Sequence, residues 1–259
     1  MNIDSLRELI YPSISIGVDD AVLILKFGGD AYDFLTDLDK RDRYFQMMDA
    51  VEKDEDIKVV LTLCEPDSLN EEAYVRFLRG MCGADIEPEG IGSSREFKEN
   101  IDRIKQLRFH EYAIQRRIAT KKILIDGLRG TIVTPFFGQT LAADLRYASD
   151  DMCFLLAHKK YGLHPSGALA FFLPKYIGQG RAIELMLTTD YIDAKQAQEL
   201  GLINYVIPAN NFESECIALA KKVSCVPTET LTSTKLLSTT YRKELDDYFK
   251  TEETLIHNW

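Results

Sequence analysis

Long apolar runs are missing from this 259-residue chain. No segment approaches the roughly 18 consecutive apolar residues that a membrane span needs, so no membrane partner is expected. A basic segment followed by an apolar stretch is missing from MNIDSLRELIYPS, so no signal peptide is expected. Cysteine is scarce: Cys64, Cys82, Cys153, Cys216 and Cys225 form no CxxC pair. An odd set without a framework argues against a disulfide scaffold and predicts reduced thiols in a cytoplasmic protein. Positive charge is outweighed, with 31 Lys and Arg against 41 Asp and Glu. That balance disfavours a nucleic-acid partner held through phosphate contacts. It still allows an anionic small molecule, which needs only a few cations at one mouth. No HExxH, P-loop or GxGxxG pattern occurs, and neither a metal nor a permanently bound cofactor is expected.

What is present reads as layered α/β structure. Ile14 to Phe27 predicts a hairpin turning at Asp19-Asp20. Leu35 to Glu52 has helical spacing, and Ile57 to Leu63 (IKVVLTL) suits a strand covered on both faces. Asn70 to Gly80 can form a helix. A second helix is predicted from Ser93-Ser94 to about Ala119, with His110 at its surface or rim. Lys122 to Ile125 predicts a buried strand. Thr134 and Pro135 suit a helix entry that carries on to about Asp144, with Thr134 as cap. Met152 to Leu156 follows as a strand, and Pro165 to Leu173 opens the next helical region. Asp193 is expected to cap a helix that Gly201 ends. Phe212 to Val223 and Glu229 to the end are predicted helical.

The run from Ile123 to Pro208 reads ILIDGLRG, TPFFGQTLAADLRYAS, then HKKYGLHPSGALAFFLPKYIGQGRAIELMLTTDYIDAKQAQELGLINYVIP. It resembles the crotonase (enoyl-CoA hydratase/isomerase) superfamily, most specifically from Gly178 onward. The resemblance implies a crotonase-like ββα spiral core over residues 1–195. A helical C-terminal region over 196–259 would pack against neighbouring subunits of a trimer or hexamer. It also implies an acyl-thioester substrate, carried on CoA or on the phosphopantetheine of an acyl carrier protein.

The family's shared device is an oxyanion hole of two backbone N–H groups, which hold a thioester carbonyl as it gains enolate charge. By the resemblance, the second donor falls on Pro135, which has no N–H, so Phe136 is the candidate. The first donor falls on Ala84, within Cys82-Gly83-Ala84-Asp85. The two glutamates of typical hydratases fall on Gly138 and His158. A two-carboxylate hydration is therefore not expected, and His158 becomes the leading catalytic candidate, with an imidazole suited to proton transfer near neutrality. A histidine satisfied by local hydrogen bonds is the competing reading. His164, on the loop that walls the acyl pocket in the family, is a second candidate. His257 is a third, because EETLIHNW and KYGLHPSGALAFFLPKYIG look like decarboxylating crotonases that act on carrier-tethered groups. Lys26 and Arg41, with Arg43 nearby, are the candidate cations for CoA. Lys159 and Lys160 suit solvent or a phosphate.

The leading expectation is a divergent acyl-thioester enzyme working through an enolate-type intermediate. Hydration, isomerisation, decarboxylation and C–C cleavage share that intermediate and stay open. The alternative is a catalytically silent crotonase-like scaffold or binding subunit.

Overall fold

The computed structural model of the chain describes residues 14–28, 31–66, 68–82 and 88–258. The chain opens with β1 (Ile14–Asp19) and β2 (Val22–Phe27), an antiparallel hairpin whose turn is Asp20-Ala21, one residue later than expected. The short α1 (Asp33–Thr36) and the long α2 (Leu38–Lys53) lead to β3 (Val59–Cys64). Helix α3 (Glu71–Cys82) and a 3₁₀ turn then precede α4 (Arg95–Lys98) and α5 (Ile101–Ala119). These last two were expected as one helix. Asn100 divides them, because its side chain accepts from the Asp102 N–H at 2.7 Å and starts a new helix.

Next come β4 (Ile123–Leu128), β5 (Thr131–Val133), α6 (Phe136–Thr140), β6 (Leu145–Ser149) and β7 (Cys153–Leu155). The α6 helix is shorter than predicted. The N–H groups of Leu141, Ala142 and Ala143 bond three residues back, to Gly138, Gln139 and Thr140, and this tightens the chain out of the α-helix. Thr134 is not its cap, since its hydroxyl donates to the Leu155 carbonyl at 3.1 Å. The remainder is α7 (Leu169–Ile177), α8 (Gln179–Thr188), β8 (Tyr191–Asp193), α9 (Ala194–Glu199), β9 (Tyr205–Ile207), α10 (Phe212–Ser224), α11 (Thr228–Ser238) and α12 (Arg242–Asn258). Asp193 caps α9 as expected, in a capping box with Gln196.

Two sheets result. The larger has the order β1-β2-β3-β4-β6-β9 and is parallel beyond the first hairpin; the smaller has the order β5-β7-β8. Parallel strands covered on both faces need apolar residues at every position, and β4 accordingly has all six residues buried. One face of the large sheet packs Val59, Leu61, Ile123 and Ile125 against Phe212, Cys216 and Ala220 of α10. The other packs Leu23, Leu25, Val60 and Leu124 against Met47 and Val51 of α2. The boundary expected at residue 195 falls inside α9. Both β9 and α10 belong to the large sheet and its core. Helix α12 lies on α5 of its own chain. Arg242 donates to the Ile118 carbonyl at 3.0 Å, and Gln115 donates to Asp246 at 3.1 Å.

Candidate active site

The site follows from strand periodicity. Side chains alternate across a sheet, so Val60, Thr62 and Cys64 of β3 share a face with Leu124, Asp126 and Leu128 of β4. The register sets Thr62 beside Asp126. At the carboxyl ends of these strands the core gives way to a small cavity of about 80 Å³. Thr62, Cys64, Asp126, Arg117, Leu69, Phe136 and Gln139 are among the residues that line it. That strand end is where ligands of open α/β sheets gather. A second cavity of about 260 Å³ lies between α2 and α5, and Tyr44, Thr62, Arg117 and Gln139 line both.

Asp126 is a carboxylate inside a buried strand. Arg117, from the last turn of α5, donates from Nη2 to its Oδ2 at 2.6 Å. The Asp126 side chain is buried, at 7% exposure, and that of Arg117 is largely covered, at 12%. Burial disfavours the guanidinium charge, but the adjoining Asp126 more than offsets this and holds the Arg117 pKa above its ordinary value. Asp126 Oδ1 and Arg117 Nε are buried without a hydrogen-bond partner. Burial, followed by the nearby Asp126 charge, pushes the Cys64 thiol up to about 12 and leaves it protonated.

His110 was expected at the surface and is buried, at 1% exposure. It lies seven residues before Arg117, on the same face of α5. Its Nδ1 donates to Gln139 Oε1 at 2.7 Å, which leaves the Nε2 end of the glutamine amide for the cavity. Burial pulls the His110 pKa down to about 4. The imidazole also meets the Phe136 ring edge to face, with centroids 5.3 Å apart.

The other predicted residues lie elsewhere. His158 follows β7 of the small sheet, in a 3₁₀ turn, and is not part of the cavity lining. Its Nε2 donates to the Met186 carbonyl at 3.0 Å, and burial holds its pKa near 4. Its Nδ1 is buried without a hydrogen-bond partner, and its strand end belongs to a different sheet from the cavity. His164 Nε2 lies 3.4 Å from Glu252 of α12, also outside the cavity. Lys26 points to the opposite face of β2 from the cavity residue Phe27 and pairs with Glu213 of α10. Arg41 sits beside Asp42 at 3.5 Å, and Arg43 pairs with Asp39 at 3.2 Å. Lys159 and Lys160 pair with Asp190 and Glu71, each at 2.8 Å. Phe136 lines the cavity. Ala84 and the side chain of His257 lie outside the described residues.

Gly138, where the resemblance puts the first family carboxylate, has no room for a side chain. A Cβ there would stand 2.4 Å from the Gly167 carbonyl oxygen and 2.6 Å from the Leu169 nitrogen. Only glycine lets the turn before α7 lie directly on α6.

The folding pattern is that of the crotonases. A solved enoyl-CoA hydratase from Bacillus halodurans superposes with a TM-score of 0.74 at 17% identity, covering 94% of each chain. An enoyl-CoA hydratase/isomerase from Cupriavidus metallidurans gives 0.69 at 20% identity, covering 94% of this chain and 88% of the other. The Enoyl-CoA hydratase/isomerase family profile matches residues 92–259, and the chain belongs to that family. Among curated relatives, 4-chlorobenzoyl coenzyme A dehalogenase-1 of Arthrobacter sp. is 30% identical over 146 residues, 56% of this chain and 52% of its own. The enoyl-CoA hydratase EchA19 of Mycobacterium tuberculosis is 30% identical over 103 residues, 40% of this chain and 39% of its own. The chain thus matches about half or less of these relatives' length. No helix among the described residues is long and apolar enough to cross a membrane.

Proposed function

We propose that the protein is a crotonase-type enzyme of acyl thioesters, working through an enolate-like intermediate. The observation that carries this reading is that Leu69 and Phe136 line the same cavity as a buried carboxylate. Leu69 ends the loop after β3, and Phe136 is the first residue of α6. The Leu69 carbonyl accepts from the Val133 N–H at 3.1 Å and the Tyr32 hydroxyl at 3.5 Å, which ties this loop to the strand leading into α6. Backbone N–H groups at these two positions can share a thioester oxygen as it gains charge. One such donor is worth roughly 3–4 kcal/mol in a transition state. Leu69 thereby takes the part expected of Ala84.

A cavity of about 80 Å³ is far below the several hundred that enclose a whole ligand, so it suits a short acyl unit on a pantetheine arm, with CoA or a carrier protein remaining outside. Titration with crotonyl-CoA, butyryl-CoA and a carrier-linked butyryl thioester tests the reading. Saturable binding is expected for at least one, with deuterium from D₂O entering butyryl-CoA beside its carbonyl. Absence of both responses would sink it.

Self-association belongs to the same reading. Leu187 and Tyr191 are 68% and 61% exposed along α8 and β8, and Leu237 on α11 is 77% exposed. Apolar side chains so placed suit a trimer or hexamer of this cytoplasmic protein. Light scattering should return three or six times the 29.5 kDa chain mass, and a stable monomer would contradict it. The closed Gly138 position favours a second reading, a thioester-binding scaffold without turnover. Binding without deuterium entry would select it.

A further inference from the structure

One charged residue stands in the fully buried strand β4. A carboxylate is costly to bury and is tolerated when its oxygens are satisfied. Here satisfaction is partial. Arginine and carboxylate can close a two-bond fork, which uses both oxygens and two nitrogens. The Arg117–Asp126 pair makes one contact, Nη2 to Oδ2 at 2.6 Å, and leaves Oδ1 and Nε buried without partners. Asp126 is 5% exposed and lines the cavity that Leu69 and Phe136 also line. Gln139, whose amide oxygen accepts from His110, lines the same cavity. The ion pair is thus bonded at one end and lacks a partner at the other, in the wall of the cavity where a thioester carbonyl would lie.

We propose that Asp126 is the proton-transferring group of this cavity and that Arg117 is its positioning residue. The proposal rests on the acyl-thioester reading above. In the step it performs, Oδ1 takes a proton from the carbon next to the thioester carbonyl. The C–H electron pair becomes the carbon–carbon double bond of the enolate, and the carbonyl π pair moves onto the oxygen held by the backbone N–H groups. Return of the proton to the same carbon restores the substrate. Return two carbons further along an unsaturated chain shifts the double bond. One carboxylate is sufficient, and no other reactant is consumed. The site therefore fits exchange and double-bond isomerisation better than a hydration that divides acid and base between two carboxylates.

The test measures butyryl-CoA binding by calorimetry and its deuterium uptake in D₂O by NMR, on the full chain. For Asp126→Asn, uptake is expected to fall at least 100-fold, with the dissociation constant within threefold of wild type. Removing one partner of a buried pair can unfold a protein, so the double variant Asp126→Asn/Arg117→Gln is measured too. It removes both charges together, and the same loss of uptake is expected on a protein that thermal unfolding shows to be folded. Arg117→Lys keeps the charge but changes the donor geometry, and it should lower uptake while leaving binding unchanged. Uptake within threefold of wild type in a folded variant lacking Asp126 would overturn the assignment and leave the thioester reading standing. Wild-type binding without uptake would overturn the assignment in favour of a binding scaffold. A wild type that neither binds nor exchanges would overturn both.

Discussion

Gly138→Glu is expected to unfold the protein rather than restore a hydratase glutamate. The smaller change Gly138→Ala already places a Cβ 2.4 Å from the Gly167 oxygen and 2.6 Å from the Leu169 nitrogen. Both obstacles are backbone, so no rotamer change relieves them. Gly167 has φ of +72° and its own Cβ position lies 2.1 Å from the Pro135 oxygen, so the opposing turn is locked from its side as well. Overpacking of this kind costs about 3 kcal/mol, more than the ~1 kcal/mol that alanine returns as a helix former. The net loss of about 2 kcal/mol corresponds, for a chain of this size, to a melting point lower by roughly 4–8 °C. Thermal unfolding of the alanine variant, with no gain of hydration on crotonyl-CoA by the glutamate variant, is the measurement. An alanine variant that melts with wild type would show that the α6–α7 contact yields easily, and the steric argument would fail.

Acidification should destabilise the fold well above the pH at which carboxylates titrate. His110 and His158 are both buried and both held near pKa 4, below the ordinary 6.5, mainly because burial penalises the charged ring. The sign follows from proton counts. Between about pH 4 and 6.5 the unfolded chain binds protons that the folded chain refuses, so stability is complete above 6.5 and falls as pH drops. The slope is about 1.4 kcal/mol per pH unit for each histidine, or about 4 kcal/mol for the two together by pH 5. That is a large share of the roughly 5–15 kcal/mol of a typical domain. Urea midpoints at pH 7, 6 and 5 should therefore fall steadily, and His158→Gln should flatten the fall by about half. Midpoints constant across that range would show that neither imidazole is buried neutral in solution. His158→Gln is further expected to leave deuterium uptake by butyryl-CoA intact, since its ring bonds to Met186 and is not part of the cavity lining.

The central strands were legible because apolar runs such as KVVLTL and KILI admit few other structures, whereas the short β5, β6, β8 and β9 carry no such run. Caps at Ser94 and Asp193 were legible because they depend on residues within one turn. Misreadings arose where distant parts meet. Thr134 has the chemistry of a cap, yet the neighbouring strand β7 offers its carbonyl and takes the hydroxyl. The helix predicted through Asn100 ignored a side chain able to start a new one. His110 and His158 both carry a polar ring in mixed surroundings, and local pattern does not reveal which ring is covered. Asp126 carries the one local signal of the site: a charge inside a run whose neighbours are all apolar must find a partner. Nothing local names Arg117 as that partner.

By itself, the sequence determined the family, the main buried strands and the long helices. Those properties follow from residue type and spacing along the chain. Only the tertiary structure decided where a cavity opens and which groups face it. It set Thr62 beside Asp126 by strand register and brought Arg117 to that carboxylate from α5. It also turned His158 into the packing beneath Met186. Side-chain direction is set by register and by which helix covers which face, and both are outcomes of long-range packing.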